Sequence, residues 1–215
     1  MSIKGLIFDL DGVICSTDLY HYLSWKKLAD KLGVYFDTEI NERLRGVSRL
    51  ESLEIILEKS NKLYTEEEKS KMAEEKNKYY QTFLKKMTTN DVSKEVLDTL
   101  QILRERGYKL AIGSSSKNAK IILKQIGLID FFDVIADGTM IKYSKPHPEI
   151  FIKASKGLNI QPKECAVIED SESGCIAAKI ASMKVAGISS AAKCIFADYH
   201  LSEFKELLDL SLIHI

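Results

Sequence analysis

The chain has 215 residues, 45% of them hydrophobic, which suffices for one domain of ordinary size or for a core domain that carries a smaller insert. Its 31 basic residues balance its 31 acidic residues without any block of like charge, which argues against nucleic acid or an anionic membrane as the main partner. The apolar stretch at the N-terminus is too short for a signal peptide, and no run approaches the roughly 18 apolar residues of a membrane span. We therefore expect a cytoplasmic protein, which we take to be a monomer.

The first 87 residues combine one strand with a helical stretch. Residues 3–8 form a short apolar run that stops at Asp9, which predicts a buried strand. From about residue 16 to 87 the hydrophobic pattern is helical throughout. It predicts one helix that ends at Gly33, a second over residues 50–57, and a third that opens with a capping box formed by Thr65 and Glu68.

After residue 88 the pattern becomes an alternation of strands and helices. The predicted strands are 108–113, 134–136, 165–168 and 184–188, and the predicted helices are 93–107, 116–126, 148–157, 171–181 and a last one from Ser202. Such alternation implies right-handed βαβ units and a parallel sheet. We therefore predict an α/β fold, a doubly wound parallel sheet formed by residues 1–15 and 88–215, with a helical cap domain, residues 16–87, inserted after the first strand.

Polar side chains follow the predicted strands where each strand ends. The segment Asp9-Leu10-Asp11 follows the first strand, and its spacing puts both carboxylates on the same side of an extended chain. Ser114 closes the second strand, Lys145 is placed just after another, and Glu169-Asp170 closes the strand 165–168. Because ligands of such sheets bind beyond the carboxyl ends of the strands, these groups are expected to meet at one edge.

The chemistry of these groups indicates phosphoryl transfer. Clustered carboxylates repel each other unless a cation compensates their charge, and oxygen ligands alone favour magnesium over zinc. The four cysteines form no CxxC pair that would indicate a zinc or redox site. Each motif alone also has an ordinary interpretation, as a surface acidic pair, a loop serine or a helix cap. Their joint occurrence with a lysine favours a site in which positioning and charge neutralisation drive phosphoryl transfer.

These motifs resemble those of a known family. The segment 8–13, the strand that ends in Ser114, Lys145-Pro146 and the segment 168–171 are similar to the four signature motifs of haloacid-dehalogenase-type phosphotransferases. The resemblance spans nearly the whole chain, including the position and length of the cap. It implies that Asp9 attacks phosphorus, that Asp11 acts as general acid and base, and that Lys145 and Ser114 hold the transferred group. The implied magnesium ligands are Asp9, Asp11 through its backbone carbonyl, Glu169 and Asp170.

The cap resembles that of the β-phosphoglucomutases within this family. In those enzymes a hexose bisphosphate intermediate turns over inside a closed site, so two phosphate sites are needed. By this resemblance Arg49 and residues 116–118 would hold the distal phosphate, and His21 would help to orient Asp11. The full set of implied substrate-binding residues is His21, Trp25, Gly46, Val47, Ser48, Arg49, Ser52, Lys76, Ser114, Ser115, Ser116, Lys117, Asn118 and Lys145.

Structural interpretations of the cap residues stay open at this point. His21 and Trp25 lie four apart and suit ordinary packing on one helix face. Arg49 suits a solvated charge at a helix start, and Lys76 lies in a helix rich in lysine and glutamate. The chain also departs from the family pattern where it enters and leaves the cap, and it has Ser182 where a glycine is usual.

Three functions are compatible with the sequence. The first is interconversion of β-glucose 1-phosphate and glucose 6-phosphate through an aspartyl-phosphate and a bisphosphate intermediate. The second is a magnesium-dependent phosphatase of small phosphorylated sugars, because the four core motifs serve both reactions. The third is a sensor that binds a sugar phosphate without turnover, against which the presence of both Asp9 and Asp11 counts. In each case the expected partner is a small-molecule sugar phosphate.

Overall fold

The structure, a computed structural model, describes residues 2–44 and 48–213, and for residues 211–213 the backbone alone. The chain divides into two compact units, Met1–Ser16 together with Met87–Ile215, and Thr17–Lys86. Within the described ranges, no helix combines the length and apolarity that crossing a membrane requires.

The first unit is built on a parallel sheet. Its strands are β1 (Gly5–Phe8), β2 (Lys109–Gly113), β3 (Val134–Ala136), β4 (Cys165–Glu169), β5 (Lys184–Ile188) and β6 (Tyr199–Leu201). They lie in the order β3-β2-β1-β4-β5-β6, so β1 is central and Gly5 pairs with both Lys109 and Cys165. The chain moves outward on one side of β1 and then returns to the other side. The carboxyl ends of β1 and β4 therefore flank the switch point, where such sheets bind ligands.

Helices flank this sheet and also form the second unit. They are α1 (Asp18–Leu32), α2 (Thr38–Glu42), α3 (Arg49–Leu57), α4 (Glu66–Leu84), α5 (Lys94–Glu105), α6 (Ala119–Gln125), α7 (Glu149–Leu158), α8 (Glu172–Ile180) and α9 (Leu207–Ile213). Neighbouring β1 residues point to opposite faces. Ile7 packs with the buried residues of α7 and α8, whereas the Phe8 ring contacts Phe132 and Phe204. Both faces are covered, and the predicted doubly wound α/β sheet is confirmed.

The second unit is a small helical assembly with its own core. Residues of α1, α2, α3 and α4 bury a shared cluster that includes Trp25, Leu28, Leu53, Ile56 and Ala73. Capping boxes start α3 at Ser48 and α4 at Thr65, as the sequence predicts for α4. Helix α1 ends at Gly33, which has a φ of 69° and satisfies the last carbonyl groups in the left-handed conformation.

The structure differs from the sequence predictions at several elements. The short helix α2 and the edge strand β6 were not predicted, and the last helix begins at Leu207 after a 3₁₀ turn rather than at Ser202. Lys145 does not follow a strand directly, because β3 ends at Ala136 and an irregular segment separates them. Ser182, which replaces the usual glycine, has a φ of 61° and so keeps the left-handed backbone.

Candidate active site

Asp9 and Glu169 lie at the carboxyl ends of the two central strands. The Asp9 amide donates to the Ile168 carbonyl at 2.9 Å, which extends the pairing of β1 and β4 by one residue. Glu169 is the last residue of β4. Both side chains are buried, Asp9 at 7% and Glu169 at 1% exposure. The parallel ladder thus brings two carboxylates side by side at the predicted edge of the sheet.

Lys145 joins these two carboxylates. Its ammonium donates to Asp9 Oδ1 at 2.5 Å and to Glu169 Oε1 at 2.8 Å. It also lies 4.8 Å from the centre of the Phe151 ring. Burial lowers the pKa of Lys145, but the charges of Asp9 and Glu169 outweigh it and hold the pKa above its usual value. Lys145 is therefore a fixed positive charge at the bottom of the site.

Asp170 completes an acidic cluster with Asp9 and Glu169. One carboxylate oxygen of each residue lies within 4.8 Å of the others. Burial, opposed by Lys145 and reinforced by Glu169, raises the pKa of Asp9 to about 7. Burial and the charges of Glu169 and Asp9 raise the pKa of Asp170 to about 8. One lysine does not balance three carboxylates, and three converging oxygens at this distance fit a divalent cation.

Asp11 lies near this cluster, but its own carboxylate is not one of the three that form it. It forms an isolated bridge with Cys15 in the turn that follows β1, and it is half-buried. Burial and the charges of Asp11 and Asp9 raise the pKa of the Cys15 thiol, which stays protonated. The contribution of the Asp11 backbone carbonyl to a metal site stays a prediction.

Two glycines make room for the acidic cluster. A Cβ atom on Gly12, whose φ is 85°, would lie 2.1 Å from Asp170 Oδ2. A Cβ atom on Gly174, in the first turn of α8, would lie 1.5 Å from Glu169 Oε1. Neither position tolerates a side chain while the carboxylates keep their places. The sequence predictions did not include Gly174, although its place in the helix that follows Glu169-Asp170 was visible.

The loop after β2 gathers further polar groups. Ser114 is buried, and its hydroxyl accepts from the Ser116 amide at 3.2 Å. The Ser116 hydroxyl accepts in turn from the amide of Asn118, which is also buried, while Lys117 is exposed. Among the buried side-chain nitrogen and oxygen atoms of the described residues, the Ser115 hydroxyl is the one without a hydrogen-bond partner. An unpaired buried donor costs stability, and a bound acceptor such as a phosphoryl oxygen would satisfy it.

In the helical unit, the buried Lys76 and the half-buried His21 form a polar pair. Lys76 is 3% exposed, and its ammonium lies 2.9 Å from His21 Nδ1. Burial, with the charges of Lys76 and Arg49, holds the pKa of His21 well below its usual value. Lys76 therefore does not face solvent, although a lysine in a helix so rich in lysine and glutamate would ordinarily be exposed.

Trp25 forms a wall of the same pair and also belongs to the core of the helical unit. The Lys76 ammonium lies 4.8 Å from the centre of the indole ring, and the ring is 3% exposed. The packing interpretation therefore applies to Trp25. Ser52 is buried in α3, and the Ser48 hydroxyl caps α3 by accepting from the Glu51 amide.

Arg49, the first residue of α3, is half-buried. Its guanidinium donates to Asn77 Oδ1 at 3.0 Å, a neutral partner, and the charge of Glu74 acts on it without a hydrogen bond among those of the described residues. Burial lowers its pKa. The arginine is not the solvated charge that the sequence allowed, and it is equipped to accept an anion. Gly46 and Val47, predicted as sugar contacts, lie outside the described residues.

Comparison with known proteins places these motifs in a family. Residues 6–188 match the haloacid dehalogenase-like hydrolases. The chain belongs to this family. The match includes the ends of β1, β2 and β4 and therefore covers every residue of the acidic cluster.

Individual members of the haloacid dehalogenase-like family resemble the chain over nearly its full length. The β-phosphoglucomutase of Bacillus subtilis is 39% identical over 213 residues, which cover 98% of this chain and 94% of the relative. The crystal structure of a β-phosphoglucomutase from Clostridium difficile has 44% identity and a TM-score of 0.84, covering 95% of this chain and 93% of that one. A phosphorylated carbohydrates phosphatase of Thermotoga maritima is 30% identical over 184 residues, or 84% of this chain and 82% of the relative.

Proposed function

We propose that this chain interconverts β-glucose 1-phosphate and glucose 6-phosphate, with Asp9 as the residue that is transiently phosphorylated. The observation that carries the proposal is the buried Asp9 carboxylate, which Lys145 holds beside the acidic groups of Glu169 and Asp170. Similarity to the β-phosphoglucomutases of B. subtilis and C. difficile supports the choice of sugar. In this proposal residues 1–15 and 88–215 act as the catalytic core, and residues 16–87 act as the cap of a monomer.

Asp9 has a carboxylate oxygen suited to nucleophilic attack. Within the described chain its side chain accepts one hydrogen bond, from Lys145 to Oδ1, so Oδ2 can attack phosphorus. Phosphorylated Asp9 passes its phosphoryl group to the C6 hydroxyl of β-glucose 1-phosphate, and Asp11 takes the proton. Asp9 then accepts the C1 phosphoryl group of the bisphosphate while Asp11 returns the proton to the C1 oxygen. Glucose 6-phosphate leaves, and Asp9 is phosphorylated again.

The acidic cluster would hold a magnesium ion. Asp9, Glu169 and Asp170 offer carboxylate oxygens, and their crowding leaves negative charge that Lys145 alone does not balance. The Asp11 backbone carbonyl would supply a further oxygen, which suits the preference of magnesium for oxygen ligands. When bound, magnesium would neutralise negative charge on the transferred phosphoryl group. Lys145 and Ser114 would orient that group toward Asp9.

Arg49 would hold the phosphate that is not being transferred. Its half-buried guanidinium has a neutral amide oxygen as its partner, so a phosphate would gain a charge-assisted, forked pair of hydrogen bonds. Ser116, Lys117 and Asn118 would add donors, and the unpaired Ser115 hydroxyl also suits an anionic oxygen. The predicted sugar contacts stay Gly46, Val47, Ser48 and Lys76. His21 stays predicted to help orient Asp11, and Trp25 and Ser52 stay predicted substrate-binding residues.

The decisive experiment measures isomerised sugar and released phosphate in the same reaction, started with a catalytic amount of glucose 1,6-bisphosphate. We expect the wild type to form glucose 6-phosphate with little free phosphate. Asp9→Asn should remove turnover almost completely, because an amide cannot serve as the nucleophile. Arg49→Lys keeps the charge and loses the fork, so isomerisation should fall at least about tenfold, given roughly 1.5–3 kcal/mol for a charged hydrogen bond.

Two comparisons keep this experiment specific. Hydrolysis of acetyl phosphate, which has one phosphate and no sugar, should change little in Arg49→Lys. Arg43→Lys is the matched control, because Arg43 lies in the same unit and pairs with Glu58 at the surface. Equal losses of both reactions in Arg49→Lys, or no loss of either, would contradict the role of a second phosphate site.

The alternative function is a magnesium-dependent phosphatase of small phosphorylated sugars. The similarity to the T. maritima phosphatase favours it, and the same nucleophile, acid and cation site would serve hydrolysis. Stoichiometric phosphate release without isomerised product would establish this alternative. A sensor without turnover is disfavoured by the presence of both Asp9 and Asp11, because binding alone needs no nucleophile, and turnover of any phosphate ester would exclude it.

A further inference from the structure

Two residue pairs, each spaced by four, face each other between α1 and α4. Thr17 and His21 lie on the α1 side, and Lys76 and Tyr80 lie on α4. Residues four apart share one face of a helix, so each pair presents two neighbouring side chains. The Tyr80 hydroxyl donates to Thr17 Oγ1 at 2.8 Å, and the His21 amide donates to the Thr17 carbonyl at 3.0 Å.

The Tyr80 ring contacts both members of the polar pair, His21 and Lys76. Its ring centre lies 4.1 Å from that of His21, with an angle of 36° between the planes. The Lys76 ammonium lies 4.8 Å from the centre of the same ring. Tyr80 is 2% exposed, so its ring is held by close packing, and its removal would leave a cavity beside both neighbours. One aromatic side chain therefore fixes the position of an imidazole and of an ammonium.

The Thr17 hydroxyl bonds to Tyr80 instead of capping helix α1. Thr17 is the N-cap residue of α1, yet its side chain makes no cap hydrogen bond there. A threonine at this position ordinarily contributes about 1 kcal/mol by capping the helix. Here its hydroxyl instead accepts from Tyr80. Because Thr17 is the first residue of the helical unit, the bond ties Tyr80 to the point where the chain enters that unit.

The contact between Lys76 and His21 sets the state of the imidazole. A charged ammonium has donors and no acceptor, so Nδ1 of His21 must accept and the ring proton is on Nε2. The charge of Lys76 and burial lower the pKa of His21, which agrees with a neutral ring. His21 thus presents an Nε2 donor as long as its ring keeps this orientation.

We propose that Tyr80 is a positioning residue, which sets the orientation of the His21 ring and of the Lys76 ammonium without touching the substrate. The inference rests on the proposed function, in which Lys76 contacts the sugar and His21 helps to orient Asp11. Tyr80 acts through its ring on both neighbours, and through its hydroxyl on Thr17. Its ring contributes more than its hydroxyl, because both functional neighbours contact the ring.

The test compares two substitutions at one position. In Tyr80→Leu both ring contacts are lost, and we expect kcat/KM for β-glucose 1-phosphate to fall at least about tenfold, while acetyl phosphate hydrolysis changes less than about twofold. In Tyr80→Phe the ring is kept and the bond to Thr17 is lost. Activity should then stay within about threefold of the wild type, as expected for the loss of one neutral hydrogen bond.

Phe36→Leu is the matched control for loss of packing. Phe36 is a buried aromatic residue of the same unit, 3% exposed, and it stacks on Tyr22 rather than on the polar pair. It should lower thermal stability about as much as Tyr80→Leu and leave the ratio of the two activities unchanged. If Phe36→Leu lowers isomerisation as selectively as Tyr80→Leu, the positioning role of Tyr80 is wrong.

A measurement without substrate separates this inference from the proposed function. The ¹⁵N shifts of the His21 ring report which nitrogen carries the proton. We expect the Nε2–H form in the wild type and in Tyr80→Phe, and a mixture of forms in Tyr80→Leu. An unchanged Nε2–H form in Tyr80→Leu would overturn the inference. If Lys76→Ala leaves isomerisation intact, the proposed function of the pair fails, whereas the ring shifts still decide whether Tyr80 orients it.

Discussion

Gly174 lies so close to Glu169 that one methyl group would disturb the acidic cluster. Its Cβ would overlap Glu169 Oε1, the oxygen that also accepts from Lys145 at 2.8 Å and from the Ser171 hydroxyl at 3.0 Å. The carboxylate cannot retreat without losing both donors. The hydrogen atom at position 174 is therefore a requirement of the site and not only of helix packing.

We expect Gly174→Ala to raise the magnesium concentration needed for half-maximal activity by at least about tenfold, since loss of one charged hydrogen bond is worth roughly 1.5–3 kcal/mol. Magnesium titrations of activity check this. Gly157→Ala is the control, because its Cβ would meet Val134 at 2.7 Å, away from the cluster. It should lower stability and leave the magnesium requirement unchanged. A normal magnesium requirement in Gly174→Ala would contradict the role of this close approach.

The sequence predicts the residues of the acidic cluster but not the place of Tyr80. Asp9, Lys145, Glu169 and Asp170 follow apolar strands or carry a signature motif, and the structure brings them together. Tyr80 carries no such signal, because a tyrosine in a helix rich in lysine and glutamate suits many environments. Its role depends on a helix that approaches from a distant part of the chain, and spacing by four from Lys76 alone does not reveal that neighbour.

At the level of elements, the capping box of α4 predicts that one threonine of this helix stabilises the fold and another does not. The Thr65 hydroxyl accepts from the Glu68 amide at 3.3 Å, and Glu68 Oε2 accepts from the Thr65 amide at 2.7 Å. Thr65→Ala should lower the free energy of unfolding by about 1 kcal/mol. Thr82→Ala, on the exposed side of the same helix, should be neutral or slightly stabilising, because alanine has the higher helix propensity.

Urea unfolding of both variants checks these values, with ellipticity at 222 nm as the signal. If Thr65→Ala and Thr82→Ala change the midpoint by the same amount, the capping box contributes no more than an ordinary helical position. A changed slope in either variant would instead indicate that the unfolding transition has lost its two-state character.

Elements with a marked apolar pattern or capping residues were predictable, including the three-residue strand β3, whereas two short elements without such a signal were not. The strand at 184–188 and the helix at 66–84 have strong apolar patterns or capping residues, which local chemistry specifies. Strand β6 has three residues at the edge of the sheet, and α2 has five. Both are too short for a periodic pattern, so packing against their neighbours decides their conformation.

For the whole molecule, the balance of charge in the acidic cluster couples metal binding to stability. Lys145 pairs with Asp9 and Glu169, and Asp170 completes the cluster without an ammonium of its own. Burial and mutual repulsion raise the pKa of Asp9 to about 7 and that of Asp170 to about 8, so above these values the folded state without a cation contains unrelieved repulsion. A cation that binds only the folded chain adds stability by mass action, about 2.7 kcal/mol at a concentration one hundred times its Kd. We therefore expect magnesium to raise the melting temperature, and sodium chloride of equal ionic strength to raise it much less.

Asp170→Asn should change the melting temperature in opposite ways without and with magnesium, which a general salt effect does not do. At about pH 9 Asp170 is ionised, because its pKa is about 8. Removing this negative charge should raise the melting temperature of the metal-free protein and abolish most of the further rise with magnesium. Differential scanning calorimetry with and without chelator measures both quantities. A full magnesium shift in Asp170→Asn would mean that the cation stabilises the protein at another place.

The central position of β1 sets the order in which the molecule can be completed during synthesis. Gly5 must wait for Lys109 on one side and for Cys165 on the other, whereas the helical unit Thr17–Lys86 is continuous and needs no later residue for its own core. Contacts that are distant in sequence form late because closing long loops costs entropy. During synthesis, the residues of the helical core therefore leave the ribosome while Lys145, Glu169 and Asp170, the neighbours of Asp9, have not yet been made. Asp9 and Asp11, which would carry the reaction, are among the first residues to be made, and their site is among the last parts of the molecule to be assembled.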